Sequence, residues 1–331
     1  MLTDWICVDE CNILCTNMDV KVLDGGLATE LERAGISIND DPLWSARVLL
    51  TNPAAVKNVH TSFLESGADI IETGTYQASI DGLSQHAGMS ADKSIELMTA
   101  AVKLAQDAVD EYWQSNSKQG IEKPQVSGSV GPYGACQHDA SEYHGKYVDS
   151  MSFQDLQNWH RPRIQALVNA GVDLLAIETI PAGKEAKAIV ELLANEFSSV
   201  KAFLTFSCKD EQHTCYGDMF SAAVSSISHC EQLIAIGVNC CAPRYITPLL
   251  KQAREHSNYK GPYVSCPNSG EQWIDSGWSG EGEKMNFQSL IPEWIQLGAR
   301  YIGGCCRTSP DDVYTIAELV KTYRTQCATK R

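Results

Sequence analysis

Residues 299–307 read Ala-Arg-Tyr-Ile-Gly-Gly-Cys-Cys-Arg, a short apolar run that ends in two glycines and two adjacent cysteines. Residues 233–241 follow the same plan and read Leu-Ile-Ala-Ile-Gly-Val-Asn-Cys-Cys. Each run is typical of a buried strand that gives way to a loop, and each places thiols at that point. Because the ends of parallel strands are neighbours in a closed sheet, we expect these thiols to converge in space.

Apolar runs of this kind alternate with segments of helical spacing along the whole chain. The predicted strands cover residues 20–24, 69–73, 125–130, 173–178, 201–207, 233–239, 261–266 and 299–304. The predicted helices cover residues 53–66, 90–113, 153–170, 184–196, 221–231, 243–255, 286–297 and 310–325. Most of these strands are apolar throughout, as parallel strands covered on both faces are.

Eight strand-helix alternations predict an α/β protein with a single (β/α)8 TIM barrel. A doubly wound open sheet is the alternative, but it usually has fewer strands over this length, and no Gly-x-Gly-x-x-Gly follows the first strand. No linker divides the sequence, so we expect one barrel domain over residues 20–331. Residues 1–19, which contain Cys7, Cys11 and Cys15, are expected to form an N-terminal arm whose role the sequence does not indicate.

The charge balance argues against two classes of partner. The chain has 331 residues, with 41 acidic and 26 basic side chains and a formal net charge of -15. Such a protein is repelled by nucleic acid and by anionic membranes, and small ligands, including cationic ones, are the better expectation. The sequence shows no extended arm for assembly, and we expect a monomer.

The cysteine count and the N-terminus bear on the compartment. Thirteen cysteines is an odd number, and the first ten residues contain acids where a secretory signal has a basic segment followed by an apolar one. The sequence has no apolar stretch of about 18 residues for a membrane span. We therefore expect a cytoplasmic protein, in which clustered cysteines indicate metal or redox chemistry more often than disulfides.

Catalytic zinc is the first interpretation of the thiols at the strand ends. Cys305 and Cys306 would supply two ligands, and Cys240 or Cys241 the third, which leaves one coordination position open. Thiolates suit zinc better than magnesium or calcium. Cys241 and Cys266, each taken alone, are more often small buried hydrophobes.

Other interpretations of the paired cysteines fit less well. A vicinal disulfide between Cys305 and Cys306 needs a strained ring and leaves Cys240 without a role. A thioredoxin-like site would need Cys-x-x-Cys at a helix start, and the histidines form neither a His-x-x-x-His nor a His-Glu-x-x-His pattern. Three thiolates make zinc a poor Lewis acid for hydrolysis, but the ion can bind a fourth sulfur and hold it deprotonated. The cluster therefore favours activation of a thiol substrate.

Further groups at the predicted strand ends complete a ring of acids, hydroxyls, glycines and thiols. Acids occur at Asp24, Glu72 and Glu178, the ends of the first, second and fourth predicted strands. In a TIM barrel, this end of the strands carries the active site. An acid at a strand end can also simply cap a helix.

Seven ordered segments give the chain a family resemblance. They read Leu-Asp-Gly-Gly-Leu-Ala-Thr-Glu-Leu (23–31), Ile-Glu-Thr-Gly-Thr-Tyr-Gln (71–77), Gly-Ser-Val-Gly-Pro-Tyr-Gly (128–134), Glu-Thr-Ile-Pro (178–181), Gly-Val-Asn-Cys (237–240), Pro-Asn-Ser-Gly-Glu (267–271) and Gly-Gly-Cys-Cys (303–306). With them the sequence resembles the zinc-dependent homocysteine S-methyltransferases over nearly its whole length.

The resemblance implies roles for three cysteines, two acids and three glycines. It makes Cys240, Cys305 and Cys306 the ligands of Zn2+, with the homocysteine sulfur in the fourth position and Cys241 only a neighbour. Asp24 and Glu178 match the acids that hold the substrate ammonium group. Gly25, like Gly26 and Gly304, would allow close approach of the backbone, although any glycine can serve a turn.

The methyl donor is the least determined part of the resemblance. Residues 265–273 together with Trp278 look most like the short enzymes that use S-methylmethionine. The expected reaction is an in-line attack of the zinc-bound homocysteine thiolate on the methyl group of S-methylmethionine or S-adenosylmethionine, which gives methionine. Trp273, Trp278 and Tyr133 are candidates for contact with a cationic donor, or for plain loop packing.

Four alternatives stay open on the sequence alone. A betaine-type enzyme uses another cationic donor, and a selenocysteine or selenohomocysteine methyltransferase uses a softer acceptor. A zinc or thiol redox sensor would have no enzymatic activity that metal loss could abolish. A zinc-dependent hydrolase would use the metal for another reaction.

Overall fold

The computed structural model describes residues 19–117, 122–274, 277–279 and 286–329. The expected N-terminal arm, with Cys7, Cys11 and Cys15, lies outside the described residues apart from Asp19. The side chains of Trp273 and Trp278 also lie outside the described part of the chain.

A parallel sheet of eight strands forms the centre of the molecule. Its strands are β1 (Lys21–Val22), β2 (Ile70–Glu72), β3 (Gln125–Val130), β4 (Leu174–Ile180), β5 (Ala202–Phe206), β6 (Leu233–Asn239), β7 (Tyr263–Cys266) and β10 (Ala299–Ile302). They are hydrogen-bonded in the order β1-β10-β7-β6-β5-β4-β3-β2. A parallel bridge between Leu23 and Ile70 brings β1 against β2 at the seam. The predicted (β/α)8 TIM barrel is confirmed.

Helices cover the outside of this barrel. They are α1 (Leu27–Arg33), α2 (Ser45–Thr51), α3 (Pro53–Glu65), α4 (Ile80–Ala87), α5 (Ala91–Asn116), α6 (Phe153–Asn169), α7 (Gly183–Glu196), α8 (Phe220–Ile227), α9 (Pro243–His256), α10 (Phe287–Gln296) and α11 (Pro310–Thr329). The side chains of Asn52, Ser90 and Ser152 accept backbone N–H groups at the starts of α3, α5 and α6. Each of the eight predicted helices is present, with boundaries that shift by up to four residues.

Several short elements were not predicted. Helices α1, α2 and α4 lie in the connections after β1 and β2, and three 3-10 turns follow β3 at Tyr133–Cys136, Ser141–Tyr143 and Lys146–Asp149. After β7 an antiparallel hairpin pairs β8 (Gln272–Ile274) with β9 (Gly277–Ser279). Helices of seven or eight residues span about two turns, too few for a clear apolar period.

Two apolar layers hold the barrel together. The larger one fills the space between the sheet and the helices and includes Cys241. The smaller one fills the barrel interior with Leu23, Ile70, Leu174, Ala176, Phe203, Ala235, Val264 and Cys266. Cys241 and Cys266 are therefore packed as small buried hydrophobes. None of the described helices is long and apolar enough to cross a membrane.

Candidate metal centre and active site

The three predicted ligand cysteines meet at the carboxyl ends of β6 and β10. Their Sγ atoms all lie within 4.8 Å of one another, and the Sγ atoms of Cys240 and Cys306 are 3.6 Å apart. All ten cysteines in the described residues are free thiols, so Cys305 and Cys306 form no vicinal disulfide. In a tetrahedral site with Zn–S bonds of about 2.3 Å, two sulfurs are separated by roughly 3.8 Å. The observed spacing fits three ligands of one ion.

Tight backbone contacts place these thiols. Cys240 has φ of 50°, in the left-handed region that a non-glycine residue adopts rarely. Gly304 is packed so closely that a Cβ there would lie 2.2 Å from Oγ1 of Thr308. Its N–H donates to the carbonyl of Asp24 at 2.9 Å, and the N–H of Cys305 donates to the carbonyl of Pro267 at 2.8 Å. The loops after β1, β7 and β10 are thereby fixed against one another.

The three thiols are hydrogen-bonded to one another, and this shifts their pKa values in opposite directions. Hydrogen bonds from Cys305, Cys306 and the Tyr143 hydroxyl, whose oxygen lies 3.6 Å from the sulfur, hold the pKa of Cys240 well below its usual value. The hydrogen bond to Cys240 raises the pKa of Cys305 and of Cys306 well above theirs. A bound divalent ion would lower the pKa of all three thiols and favour three thiolates.

Three carboxyl groups lie together at the ends of β1, β2 and β4. The backbone N–H of Glu72 donates to Oδ2 of Asp24 at 2.9 Å, and the Glu72 carboxyl is hydrogen-bonded to that of Glu178. Burial raises the pKa of Asp24 to about 8, the pKa of Glu72 well above its usual value and the pKa of Glu178. Burial and the closeness of the carboxyls to one another both favour their protonated forms, and a bound cation would favour ionisation.

The raised pKa of Asp24 predicts a dependence of stability on pH. Asp24 has a folded-state pKa of about 8 against 3.8 for the unfolded chain, so the folded protein keeps a proton that the unfolded chain releases. The free energy of unfolding of the metal-free protein should therefore fall as the pH rises, by about 2 kcal/mol from this group between pH 6 and pH 8. Denaturant titrations of the wild type and Asp24→Asn measure this. The variant should show a shallower fall; an identical slope would contradict the assignment.

One cavity opens onto both the thiols and the carboxyls. Its lining includes five acids: Asp24, Glu32, Glu72, Glu142 and Glu178. The described lining residues include no lysine or arginine. Aromatic side chains also line it, from Trp44, Tyr76 and Tyr143. Acids and aromatic faces without a basic counterpart suit a small cationic ligand.

The six residues singled out in the sequence all lie at this cavity. Asp24, Gly25, Glu178, Cys240, Cys305 and Cys306 line it. Gly25 is also packed against the Phe63 ring, which a Cβ would meet at 2.8 Å. The neighbouring Gly26 approaches the main chain of Cys305, since a Cβ there would lie 2.8 Å from its carbonyl oxygen.

Sequence reasoning missed part of the lining and left the place of one aromatic residue, Tyr133, open. Glu142 and Tyr143 reach the cavity from a 3-10 turn after β3, and burial raises the pKa of Glu142 to about 7. Tyr133 instead packs against the rings of Tyr147 and Trp159, at centroid distances of 5.1 and 5.2 Å. For Tyr133, loop packing is therefore the correct alternative.

Comparison with known proteins agrees with the site. Residues 21–320 match the family model described as homocysteine S-methyltransferase. The chain belongs to the homocysteine S-methyltransferase family. Curated relatives include a homocysteine S-methyltransferase of Arabidopsis thaliana, 40% identical over 91% of this chain and 93% of its own. Another is the Bacillus subtilis enzyme YbgG, 39% identical over 92% of this chain and 95% of its own. A Drosophila melanogaster relative, 40% identical over 92% and 96%, is named betaine-homocysteine S-methyltransferase.

A solved structure places the fold in the same family. The homocysteine methyltransferase MmuM from Escherichia coli, in its metallated form, has a TM-score of 0.80 and 36% identity. The match covers 93% of this chain and 98% of MmuM. Our chain is accordingly a methyltransferase, and the three cysteines could hold a metal ion. A redox sensor or a hydrolase is not favoured by these matches.

Proposed function

We propose that this methyltransferase moves a methyl group from a sulfonium donor, S-methylmethionine or S-adenosylmethionine, to the sulfur of homocysteine. The observation that carries the proposal is one cavity in which the thiols of Cys240, Cys305 and Cys306 adjoin the carboxyls of Asp24, Glu72 and Glu178. Homocysteine has a thiol at one end and an ammonium group at the other. The two groups of side chains complement those two ends.

Zinc is the metal that we assign to the three cysteines. A donor set of three thiols suits zinc and disfavours magnesium and calcium, which take oxygen ligands. The 3.6 Å spacing of the Cys240 and Cys306 sulfurs fits that ion. Bound Zn2+ would accept the substrate sulfur in its open position and keep it deprotonated near neutral pH, where a free thiol with a pKa of about 8.5 is mostly protonated.

The three clustered acids of the cavity would orient the substrate by binding its amine. Burial raises the pKa values of Asp24, Glu72 and Glu178, and repulsion within the cluster adds to this rise for the first two. A bound ammonium ion would offset this repulsion and favour their ionised forms. Charge-assisted hydrogen bonds to carboxylates are about twice as strong as neutral ones. With the substrate held at both ends, its sulfur would face the part of the cavity where the donor binds.

A sulfonium donor matches the rest of the cavity. The new carbon–sulfur bond forms from the substrate thiolate while the old one breaks, and its electron pair leaves with a neutral thioether. The leaving group therefore needs no general acid. The acids and the rings of Trp44, Tyr76 and Tyr143 favour the donor's positive charge. Betaine is also cationic, and a selenol could replace the thiol acceptor.

A donor comparison tests the proposed function. Purified zinc-loaded protein is mixed with homocysteine and S-methylmethionine, S-adenosylmethionine or betaine at equal concentration, and methionine is quantified over time. We expect methionine from at least one sulfonium donor at a rate about tenfold or more above that with betaine, since only the sulfonium carries a good thioether leaving group. A faster rate with betaine would make the enzyme betaine-type. No methionine with any donor would refute the proposal.

The partners proposed for this chain are small molecules. Its 41 acidic and 26 basic side chains support the absence of nucleic acid and of anionic membrane among its partners. We further infer that it acts as a monomer in the cytoplasm.

A further inference from the structure

Asn239, the last residue of β6, has a fixed side-chain orientation. Its Oδ1 accepts the backbone N–H of Thr179 at 2.8 Å and the hydroxyl of Thr205 at 2.9 Å. A backbone N–H can only donate, so the atom that faces it must be the amide oxygen. The amide nitrogen of Asn239 therefore points to the other side, toward Glu178 and Cys305.

Three acceptors surround that nitrogen. Oγ1 of Thr179 lies 2.8 Å from Nδ2, Oε2 of Glu178 lies at 3.4 Å and the Sγ of Cys305 lies at 3.9 Å. An amide nitrogen has two hydrogens, and the short contact to Thr179 occupies one of them. The second hydrogen lies between the carboxylate of the amine site and a sulfur of the metal centre.

The backbone on both sides of this contact has an unusual conformation. Thr179 has φ of 60° and Cys240 has φ of 50°, both in the left-handed region. For a β-branched residue such as Thr179 that conformation is unfavourable and persists only when its surroundings hold it. Asn239 contacts both the N–H and the hydroxyl of Thr179. It thereby holds the irregular end of β4, where the register shifts between Ile177 and Ile180 beside Glu178.

We propose that Asn239 is a positioning residue that joins the two halves of the site, by holding Glu178 and the Cys305 sulfur through one shared amide. The inference rests on the proposed function, since it assigns the amine to Glu178 and the metal to Cys305. When both acceptors are anionic, their hydrogen bonds to the amide become stronger. Loss of the amide should then weaken the metal site and the amine site together.

The expected result is a double defect in the Asn239 variants. For Asn239→Ala, metal affinity should fall 10–100-fold, because partners of metal ligands commonly contribute that much. It is measured on metal-free protein by competition with a chelator for Zn2+. At saturating zinc, KM for homocysteine should rise about tenfold or more, because Glu178 loses the contact on the side that faces the metal centre and keeps only its hydrogen bonds to Ser129 and Glu72. Asn239→Asp keeps the size and the acceptor for Thr179 but replaces the N–H donor, so it carries the same test if the alanine variant does not fold.

Two controls separate this role from general loss of structure. Thr205→Val removes a hydrogen bond to the opposite side of the same amide and should change metal affinity and KM by less than about threefold. Glu178→Gln should raise KM but leave metal affinity near that of the wild type. Folded Asn239 variants that keep wild-type values, or lose only one of the two, would overturn the inference. If the wild type itself binds no metal or makes no methionine, the proposed function fails instead.

Discussion

Cys306→Ala should lose its zinc and form methionine about 10³-fold more slowly than the wild type, or slower still. The Sγ of Cys306 lies 3.6 Å from that of Cys240, so the substitution removes one of three converging sulfurs. Two thiols and an open side make a weak site, and the substrate thiol would lose both its activation and its alignment. Zinc per chain after dialysis and the rate of methionine formation are the two measurements.

Cys241→Ala is the matched control for this prediction. Cys241 directly follows Cys240 and is equally a buried free thiol, but its side chain packs in the apolar layer outside the barrel. Removing its sulfur should lower stability by about 1 kcal/mol through lost packing and leave zinc content unchanged. If Cys306→Ala kept a full equivalent of zinc, or if Cys241→Ala lost it, the assignment of ligands would be wrong.

The sequence predicts the thiol cluster because its determinants are local. Apolar runs mark β6 and β10, and Cys240, Cys305 and Cys306 directly follow those runs. Barrel closure then brings the strand ends together, whatever the conformation of the loops. The same reasoning places Asp24 and Glu178 at strand ends, while their role at the substrate amine comes from the family resemblance. It also lists Glu72 as a strand-end acid, but pairwise contact between Glu72 and Glu178 depends on side-chain directions that spacing alone does not give.

Loop residues of the site depend on distant contacts and could not be predicted in this way. Glu142 and Tyr143 belong to a segment whose path is held by the buried Glu185 of α7. That carboxyl accepts the N–H of Tyr133 at 2.8 Å and the hydroxyl of Tyr147. The two anchors flank Glu142 and Tyr143 in sequence but lie 38 or more residues from Glu185. No periodic pattern reports a contact of this kind.

Trp44 illustrates a second limit of the sequence. It lines the cavity with φ of 47°, a conformation that is rare for a bulky side chain. The following Ser45 donates through its N–H and its hydroxyl to Oε1 of Gln77, at 3.2 and 3.0 Å. The conformation is thus held from the loop after β2, more than thirty residues away, and propensity at Trp44 itself gives no sign of it.

Glu178→Gln should lower kcat/KM for homocysteine by about 10–100-fold while zinc content stays at the wild-type level. A hydrogen bond from an ammonium ion to a carboxylate contributes about 1.5–3 kcal/mol, and the neutral amide keeps the shape of Glu178 but not its charge. Its neighbours Ser129 and Asn239 can still contact the side chain, so the position should be retained.

A substrate without the amine isolates that interaction. 4-Mercaptobutyrate has the thiol and carboxylate of homocysteine but no ammonium group, so the wild type should use it poorly. Glu178→Gln should use it as well as the wild type does, within about threefold, because the missing interaction cannot be lost twice. The difference between the two substrates then gives the coupling between Glu178 and the amine. Equal losses on both substrates would show that Glu178 acts on the thiol end instead, and the division of the cavity into an amine site and a metal site would have to be redrawn.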